Sequence, residues 1–166
     1  MRKSDSFEPI SHVRRHPAHP PPIESGNRAI ILFLTICAAE RKPILANEGA
    51  VAVILQAWQA AAHWTVGRYI ILPDHLHLFC APARFDSLPV QRWVAFWKSR
   101  ASSRWPHPTE HPIWQADCWD TQLRRGENYD AKWEYVRSNA VRHGLVSQPE
   151  EWPWQGELNV LHWHDR

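Results

Sequence analysis

Apolar residues in this chain follow two patterns, and the first is typical of strands. The run from Ala29 to Ala38 is apolar and β-branched without polar alternation, which predicts a central strand covered on both faces. Strand-like runs at 65–72 and 75–81 flank the turn residues Pro73-Asp74, so these two strands are expected to form a hairpin. Residues 113–123 predict a short fourth strand or two short pieces.

The second pattern places apolar residues three and four positions apart, as in amphipathic helices. It occurs in three segments, at 47–63, 87–104 and about 128–143. Asn47 is expected to cap the first helix, and Asn128 or Asp130 the third. Gly144 predicts the end of the third helix, because a glycine there can adopt a left-handed backbone.

The predicted order is strand, helix, strand, strand, helix, strand, helix, and such runs pack helices on one face of a small antiparallel sheet. We therefore expect an α+β fold, a ferredoxin-like split βαβ sandwich. The length of 166 residues fits one compact domain, which we place at 27–166. Residues 1–26, rich in Pro, His and Arg, predict a flexible tail; the alternative is a basic arm that contacts nucleic-acid phosphates.

Composition narrows the class of protein only a little. The 19 Lys and Arg against 17 Asp and Glu give a net charge of +2, so bulk charge does not by itself indicate nucleic-acid binding. The three cysteines lack metal-binding spacing and predict thiols in a reducing compartment, so we expect a cytoplasmic protein. No apolar run approaches the roughly 18 residues of a membrane span, which predicts no membrane partner.

Two histidines carry the first hint of chemistry. His75 and His77 occupy alternate positions of a strand and point to one face, which indicates a divalent metal site. Tyr135 and Asn139 stand four residues apart on the third helix, as a possible nucleophile and a third metal ligand, and we expect this helix to lay Tyr135 beside the histidines. The alternatives are two ordinary strand histidines, a core tyrosine and a solvent-facing asparagine.

Longer segments carry a resemblance to a known family. They are PDHLHLF at 73–79, IWQADCWDTQLRR at 113–125, ENYDAKWEYVRSNAVRHGLV at 127–146 and EWPW at 151–154. Together they resemble the single-tyrosine HUH transposase superfamily, and within it the REP-associated tyrosine transposases. The likeness covers roughly residues 30–154.

The resemblance implies the HUH endonuclease fold and a role for each matched residue. His75 and His77 match the histidines that bind a divalent ion, taken to be Mg²⁺ or Mn²⁺, and Asn139 matches the residue that completes the metal site. Tyr135 matches the nucleophile that attacks a phosphate of single-stranded DNA, leaving a 5′-phosphotyrosine and a free 3′-hydroxyl. The implied partner is single-stranded or hairpin DNA, bound by a monomer or homodimer that associates with the nucleoid.

The chain departs from the family pattern in two places. Most relatives have a proline where this chain has Ala140, so we expect a straighter last helical turn here. The N-terminal segment lacks the glycine-aromatic lead-in that is common in the group.

The tyrosine would need activation to act as a nucleophile. A phenol has a pKa near 10, so Tyr135 needs a nearby cation or base; the metal, Arg137 and Arg142 are the candidates.

Basic and aromatic residues predict further DNA contacts. On the second helix, tryptophans among arginines and lysines suit single-stranded nucleic acid, although spacing by four also fits core packing. A basic pair precedes the third helix, where the alternative is a solvated turn. The predicted contacts are Arg92, Trp97, Lys98, Arg100, Arg104, Arg124, Arg125, Arg137 and Arg142.

The sequence therefore predicts a metal-dependent enzyme that nicks and rejoins single-stranded DNA near a hairpin. Two alternatives stay open. One is an inactive or domesticated module that binds hairpin DNA without cutting it. The other is a metal-dependent hydrolase of small phosphoesters that uses only His75 and His77.

Overall fold

The computed structural model describes residues 30–124 and 127–162. The predicted tail at 1–26 and its boundary with the domain lie outside these residues. Within the described ranges, no helix is long and apolar enough to cross a membrane.

The described chain forms a five-stranded sheet in which every neighbouring pair is antiparallel. Its spatial order is β4 (Trp119–Gln122), β1 (Leu32–Cys37), β3 (His75–Pro82), β2 (Trp64–Ile71) and β5 (Gln155–Glu157). The first four strands in this order form the expected ferredoxin-like sheet, and the predicted β2–β3 hairpin is confirmed. The sequence pattern did not predict β5, which pairs with β2 at the edge.

Two helices cover one face of the sheet. They are α1 (Glu48–Ala60) and α2 (Val90–Ser103), close to their predicted bounds. Asn47 caps α1 as expected, since its side-chain oxygen accepts a hydrogen bond from the Ala50 amide at 3.0 Å. Leu34 and Leu78 of the central strands pack with α1 and α2 in a tryptophan-rich core.

The tyrosine-bearing segment covers the opposite face. It consists of α3 (Tyr129–Arg137) and a short α4 (Asn139–Arg142). Trp133 and Val136 of α3 pack on Phe79 of β3 in a second, smaller core. The α+β class is confirmed, but the helices lie on both faces rather than one. The reason is that the sheet is apolar on both sides, so a second helical layer is needed to cover it.

The predicted third helix is interrupted at Ser138. The Tyr135 carbonyl, which a continuous helix would bond to the Asn139 amide, accepts from the Ser138 hydroxyl at 2.7 Å and from Arg142 Nη1 at 3.0 Å. Two side-chain donors therefore take the place of the backbone donor at this carbonyl, and the expectation of a straighter last turn at Ala140 stays a prediction. Gly144 ends the segment as predicted, with φ of 70°.

Candidate active site

The paired histidines of β3 lie side by side on the face that α3 covers. They alternate with Leu76 and Leu78, which point into the larger core, and share a face with Phe79. The ring centroids of His75 and His77 are 4.9 Å apart. The prediction that both imidazoles share one face is confirmed.

A carboxylate defines the orientation of the His75 ring. His75 is buried, and its Nδ1 lies 2.7 Å from Oδ1 of Asp74. Because an ionised carboxylate only accepts, Nδ1 is the protonated nitrogen and Nε2 keeps its lone pair. Burial lowers the pKa of His75, while the Asp74 carboxylate acts in the opposite direction. The neutral ring is the form that can bind a metal.

His77 is held by different neighbours. Its Nδ1 lies 2.9 Å from the Thr35 hydroxyl on the adjacent strand, and its ring stacks on Phe33 with centroids 5.2 Å apart. Burial lowers the pKa of His77 to about 3, and the charge of the neighbouring His75 acts in the same direction. His77 is therefore neutral at physiological pH.

Arg41 and Asp74 belong to this cluster but were missed in the sequence, where Asp74 was assigned only to a turn. Arg41 Nε donates to Asp74 Oδ2 at 2.8 Å. Burial alone would raise the pKa of the Asp74 carboxyl, but the hydrogen bonds from His75 and Arg41 outweigh it and lower that pKa. The position of Asp74 next to the first histidine is the signal that could have found it. Arg41 has no such signal, because it comes from the turn after β1.

The backbone at Arg41 is strained. Glu40 and Arg41 have φ of 53° and 55°, the left-handed region that non-glycine residues rarely adopt. Each such residue costs roughly 1–2 kcal/mol, and such strain often accompanies functional sites. The turn therefore brings the Arg41 side chain back to β3 at an energetic cost.

Arg142 organises the tyrosine half of the site. Its guanidinium carbon lies 4.2 Å from the centroid of the Tyr135 ring, and its Nη2 donates to Asn139 Oδ1 at 2.6 Å. It also bonds the Ser138 hydroxyl. One cation thus holds both the predicted nucleophile and the predicted third metal ligand.

Two side chains connect this half to the histidines. His143, which follows α4, has its ring centroid 5.8 Å from that of His75. The charge of Arg142 lowers the pKa of His77, after the larger effects of burial and of His75. The Tyr135 side chain is 67% exposed and therefore accessible to a large substrate. Its expected position beside the histidines stays a prediction.

Each of the three predicted metal ligands carries a donor atom of a kind that divalent metals bind. The hydrogen bond of His75 leaves its Nε2 for a metal, and a neutral His77 can bind through its Nε2. Asn139 Oδ1 accepts one hydrogen bond from Arg142, and a carbonyl oxygen has a second lone pair for a cation. Among the described residues, no three His, Cys, Asp or Glu side chains form a metal-binding group.

The structure corrects two predicted DNA contacts on α2. Trp97 is 0% exposed and packs edge-on to Trp58, so it has no surface on which a base could stack. Lys98 is buried, and its ammonium donates to the carbonyls of Gln115 and Asp117 at 3.0 and 3.1 Å. The apolar stripe of α2 turns both side chains inward, so the core-packing alternative holds here.

The other predicted DNA contacts are spread over the surface. Arg92 is exposed and Arg100 is half-buried on α2, and the exposed Arg104 directly follows α2, so all three belong to the face opposite the histidines. Arg124 is exposed before α3, and Arg125 lies outside the described residues. At the end of α3, Arg137 forms ion pairs with Glu134 and Glu150.

The sheet is antiparallel and ferredoxin-like, and its histidine pair lies on the face that a tyrosine-bearing helix covers. These features define the class of protein to which the chain is compared. No protein-family model matches the chain. The chain is 27% identical to a REP-associated tyrosine transposase of Escherichia coli over 90 residues, which are 54% of this chain and 52% of that protein. A protein of Haemophilus influenzae is also 27% identical over 96 residues, 51% of this chain and 53% of its own. The chain thus spans about half the length of the curated relatives it matches.

A solved structure supports the same comparison. It is a REP-associated tyrosine transposase bound to a REP hairpin, with a TM-score of 0.63 and 19% identity, covering 88% of this chain and 82% of that one. At this identity the match shows the fold. Sequence and fold therefore agree that this chain is similar to the REP-associated tyrosine transposases, as its HUH and tyrosine motifs indicated.

Proposed function

We propose that this protein is a metal-dependent endonuclease and strand transferase for single-stranded DNA, and that it acts near REP-like hairpins. The observation that carries the proposal is the placement of two sequence-distant motifs on one face of the sheet. His75 and His77 belong to β3, and the segment with Tyr135 and Asn139 crosses the same face, with His143 against His75. The cytoplasmic location expected from the sequence stays a prediction.

The proposed chemistry is attack by Tyr135 on a DNA phosphodiester. The phenol oxygen forms a bond to phosphorus as its proton leaves, the bond from phosphorus to the 3′ oxygen breaks, and that oxygen takes a proton. The products are a 5′-phosphotyrosine and a free 3′-hydroxyl. The conserved bond energy allows a later 3′-hydroxyl to reverse the step and join strands.

Three side chains would hold Mg²⁺ or Mn²⁺, namely His75, His77 and Asn139. The ion would supply charge neutralisation at the nonbridging phosphate oxygens and align the scissile bond. Two imidazoles and one amide leave open positions for phosphate and water, as a catalytic site requires.

Arg142 is the chain's own candidate for lowering the barrier at Tyr135. Its guanidinium lies over the ring of Tyr135 and can hold the attacking side chain in one orientation. Of the candidates for this role, Arg137 is less suited, because Glu134 and Glu150 already neutralise its charge.

The deciding test is adduct formation with a hairpin-flanked single-stranded oligonucleotide and Mn²⁺. The wild type should give a denaturation-resistant protein–DNA adduct that peptide mapping places on Tyr135, one of three tyrosines in the chain. Tyr135→Phe should abolish the adduct, whereas Tyr129→Phe on the same helix should retain it. An adduct at wild-type yield from Tyr135→Phe overturns the assignment.

The adduct assay tests the first alternative, and an assay of small-phosphoester hydrolysis tests the second. A module that binds hairpins without cutting them should give hairpin binding and no adduct in any metal. The match to a relative bound to a hairpin is compatible with such a module. A small-molecule phosphoesterase retains its hydrolysis in Tyr135→Phe and loses it in His75→Ala.

A further inference from the structure

We propose that Asp74 and Arg41 are positioning residues that fix the ring orientation and the tautomer of His75, so that its Nε2 is presented to the metal. The proposal rests on the proposed function for the metal itself. The arrangement of the three side chains can be tested without it.

The Asp74 carboxylate is shared between two partners. Oδ1 lies 2.7 Å from Nδ1 of His75, and Oδ2 accepts from Nε of Arg41 at 2.8 Å. With one oxygen committed to each partner, the carboxylate cannot rotate without losing a charge-assisted hydrogen bond. In metal sites, a carboxylate on the outer nitrogen of a histidine sets its tautomer and orientation.

Arg41 is itself held in place. Its amide donates to the Ala38 carbonyl at 3.0 Å, and its Nη1 donates to the Cys37 sulfur at 3.1 Å. The left-handed backbone at Glu40 and Arg41 aims the side chain at β3. An arginine fixed at several points retains its geometry better than a mobile surface ion pair does.

One contact in the cluster favours the opposite tautomer. Arg41 Nη2 lies 3.4 Å from Nδ1 of His75, and a guanidinium can only donate, so a hydrogen bond there would need an unprotonated Nδ1. The Asp74 contact is 0.7 Å shorter and involves an acceptor of full charge. The carboxylate therefore determines the tautomer, and Nη2 is a neighbour rather than a donor.

His77 provides an internal comparison. Its Nδ1 faces the Thr35 hydroxyl, which can either donate or accept, so this contact does not select a tautomer. Removing the Asp74 carboxylate should therefore change His75 and leave His77 as it was. A general loss of structure would change both rings.

The first measurement uses imidazole ¹⁵N chemical shifts of the full-length, metal-free protein. Wild-type His75 should be protonated on Nδ1. Asp74→Ala should raise the population with the proton on Nε2, while Asp74→Asn, which keeps an acceptor oxygen, should retain most of the wild-type tautomer. The control is Asp86→Asn, since Asp86 is exposed and lies 3.7 Å from Arg84 away from the site.

The second measurement is the Kd for Mn²⁺ alone. Asp74→Ala should weaken binding about 10–100-fold, in line with losses of outer partners at other metal sites, and Arg41→Ala should weaken it less. The proposal is overturned if wild-type His75 carries its proton on Nε2, or if Asp74→Ala matches Asp86→Asn in both tautomer and Kd. If Asp74→Ala does not fold, Asp74→Ser, which also lacks the carboxylate, decides by the same criteria.

Failure of the proposed function looks different. A wild type that binds no Mn²⁺ and forms no adduct refutes the metal-dependent chemistry. The ¹⁵N shifts of the metal-free protein still show whether Asp74 fixes His75.

Discussion

Shortening Val136 tests how α3 is attached to the sheet. Val136 follows Tyr135 directly, is 2% exposed, and packs with Phe79 and Trp133 in the smaller core. Val136→Ala removes two buried carbons, and at about 0.8 kcal/mol each this loses about 1.6 kcal/mol of burial. A residual cavity of about 50 Å³ would add up to about 1.2 kcal/mol. We therefore expect a loss of about 1.6 to 3 kcal/mol in the free energy of unfolding.

The assay is urea unfolding followed by tryptophan fluorescence, with the same substitution at Val160 as the control. Val160 is 69% exposed, so Val160→Ala should change stability by less than about 0.5 kcal/mol. The midpoint should fall for Val136→Ala while the slope with denaturant stays unchanged. Equal effects of the two substitutions would show that Val136 does not dock α3 on the sheet.

Three further predictions concern the pH dependence, the strained turn and the arginines. Because burial lowers the pKa of His77 to about 3, the folded state binds fewer protons than the unfolded state between pH 3 and about 6.5. Metal-free wild type should therefore lose more stability than His77→Gln as the pH falls through this window. An equal fall in the urea midpoints of the two proteins would contradict this prediction. Glu40→Gly relieves the strain of a left-handed backbone and should leave the free energy of unfolding unchanged or raise it by up to about 1 kcal/mol. The control Glu48→Gly, in the first turn of α1, should lower it. A loss above about 1 kcal/mol in Glu40→Gly would show that the backbone at Glu40 is not strained. Arg142→Ala should slow adduct formation roughly tenfold or more and Arg137→Ala much less, so similar rates would remove Arg142 from the site.

Most of the fold follows from local patterns that are visible in the sequence. The alternation of His75 and His77 with leucines, and the spacing of apolar residues in α1 and α2, each have one simple structural solution. The edge strand β5 has no such pattern, because Gln155-Gly156-Glu157 is polar and forms a strand only by pairing with β2. A pairing of this kind depends on the tertiary fold rather than on propensity.

The errors at the candidate site have a common physical cause. Lys98 looks like a solvent-facing cation until the fold supplies two carbonyls that hold its ammonium in the interior. The break at Ser138 depends on Arg142 reaching back to the Tyr135 carbonyl. Arg41 reaches Asp74 only through a left-handed turn. Each is a long side chain bonded to a group that sequence distance does not reveal.

The two faces of β3 carry different residues, the candidate site histidines on one and the leucines of the larger core on the other. Leu76 and Leu78 belong to the tryptophan-rich core, whereas His75 and His77 meet the smaller layer on the other face. Loss of either imidazole by mutation therefore leaves the larger core intact, and the chain should still fold. If strand cleavage is the function, as we propose, a lineage that loses it would inherit a stable scaffold that could be retained for another role without a change of architecture.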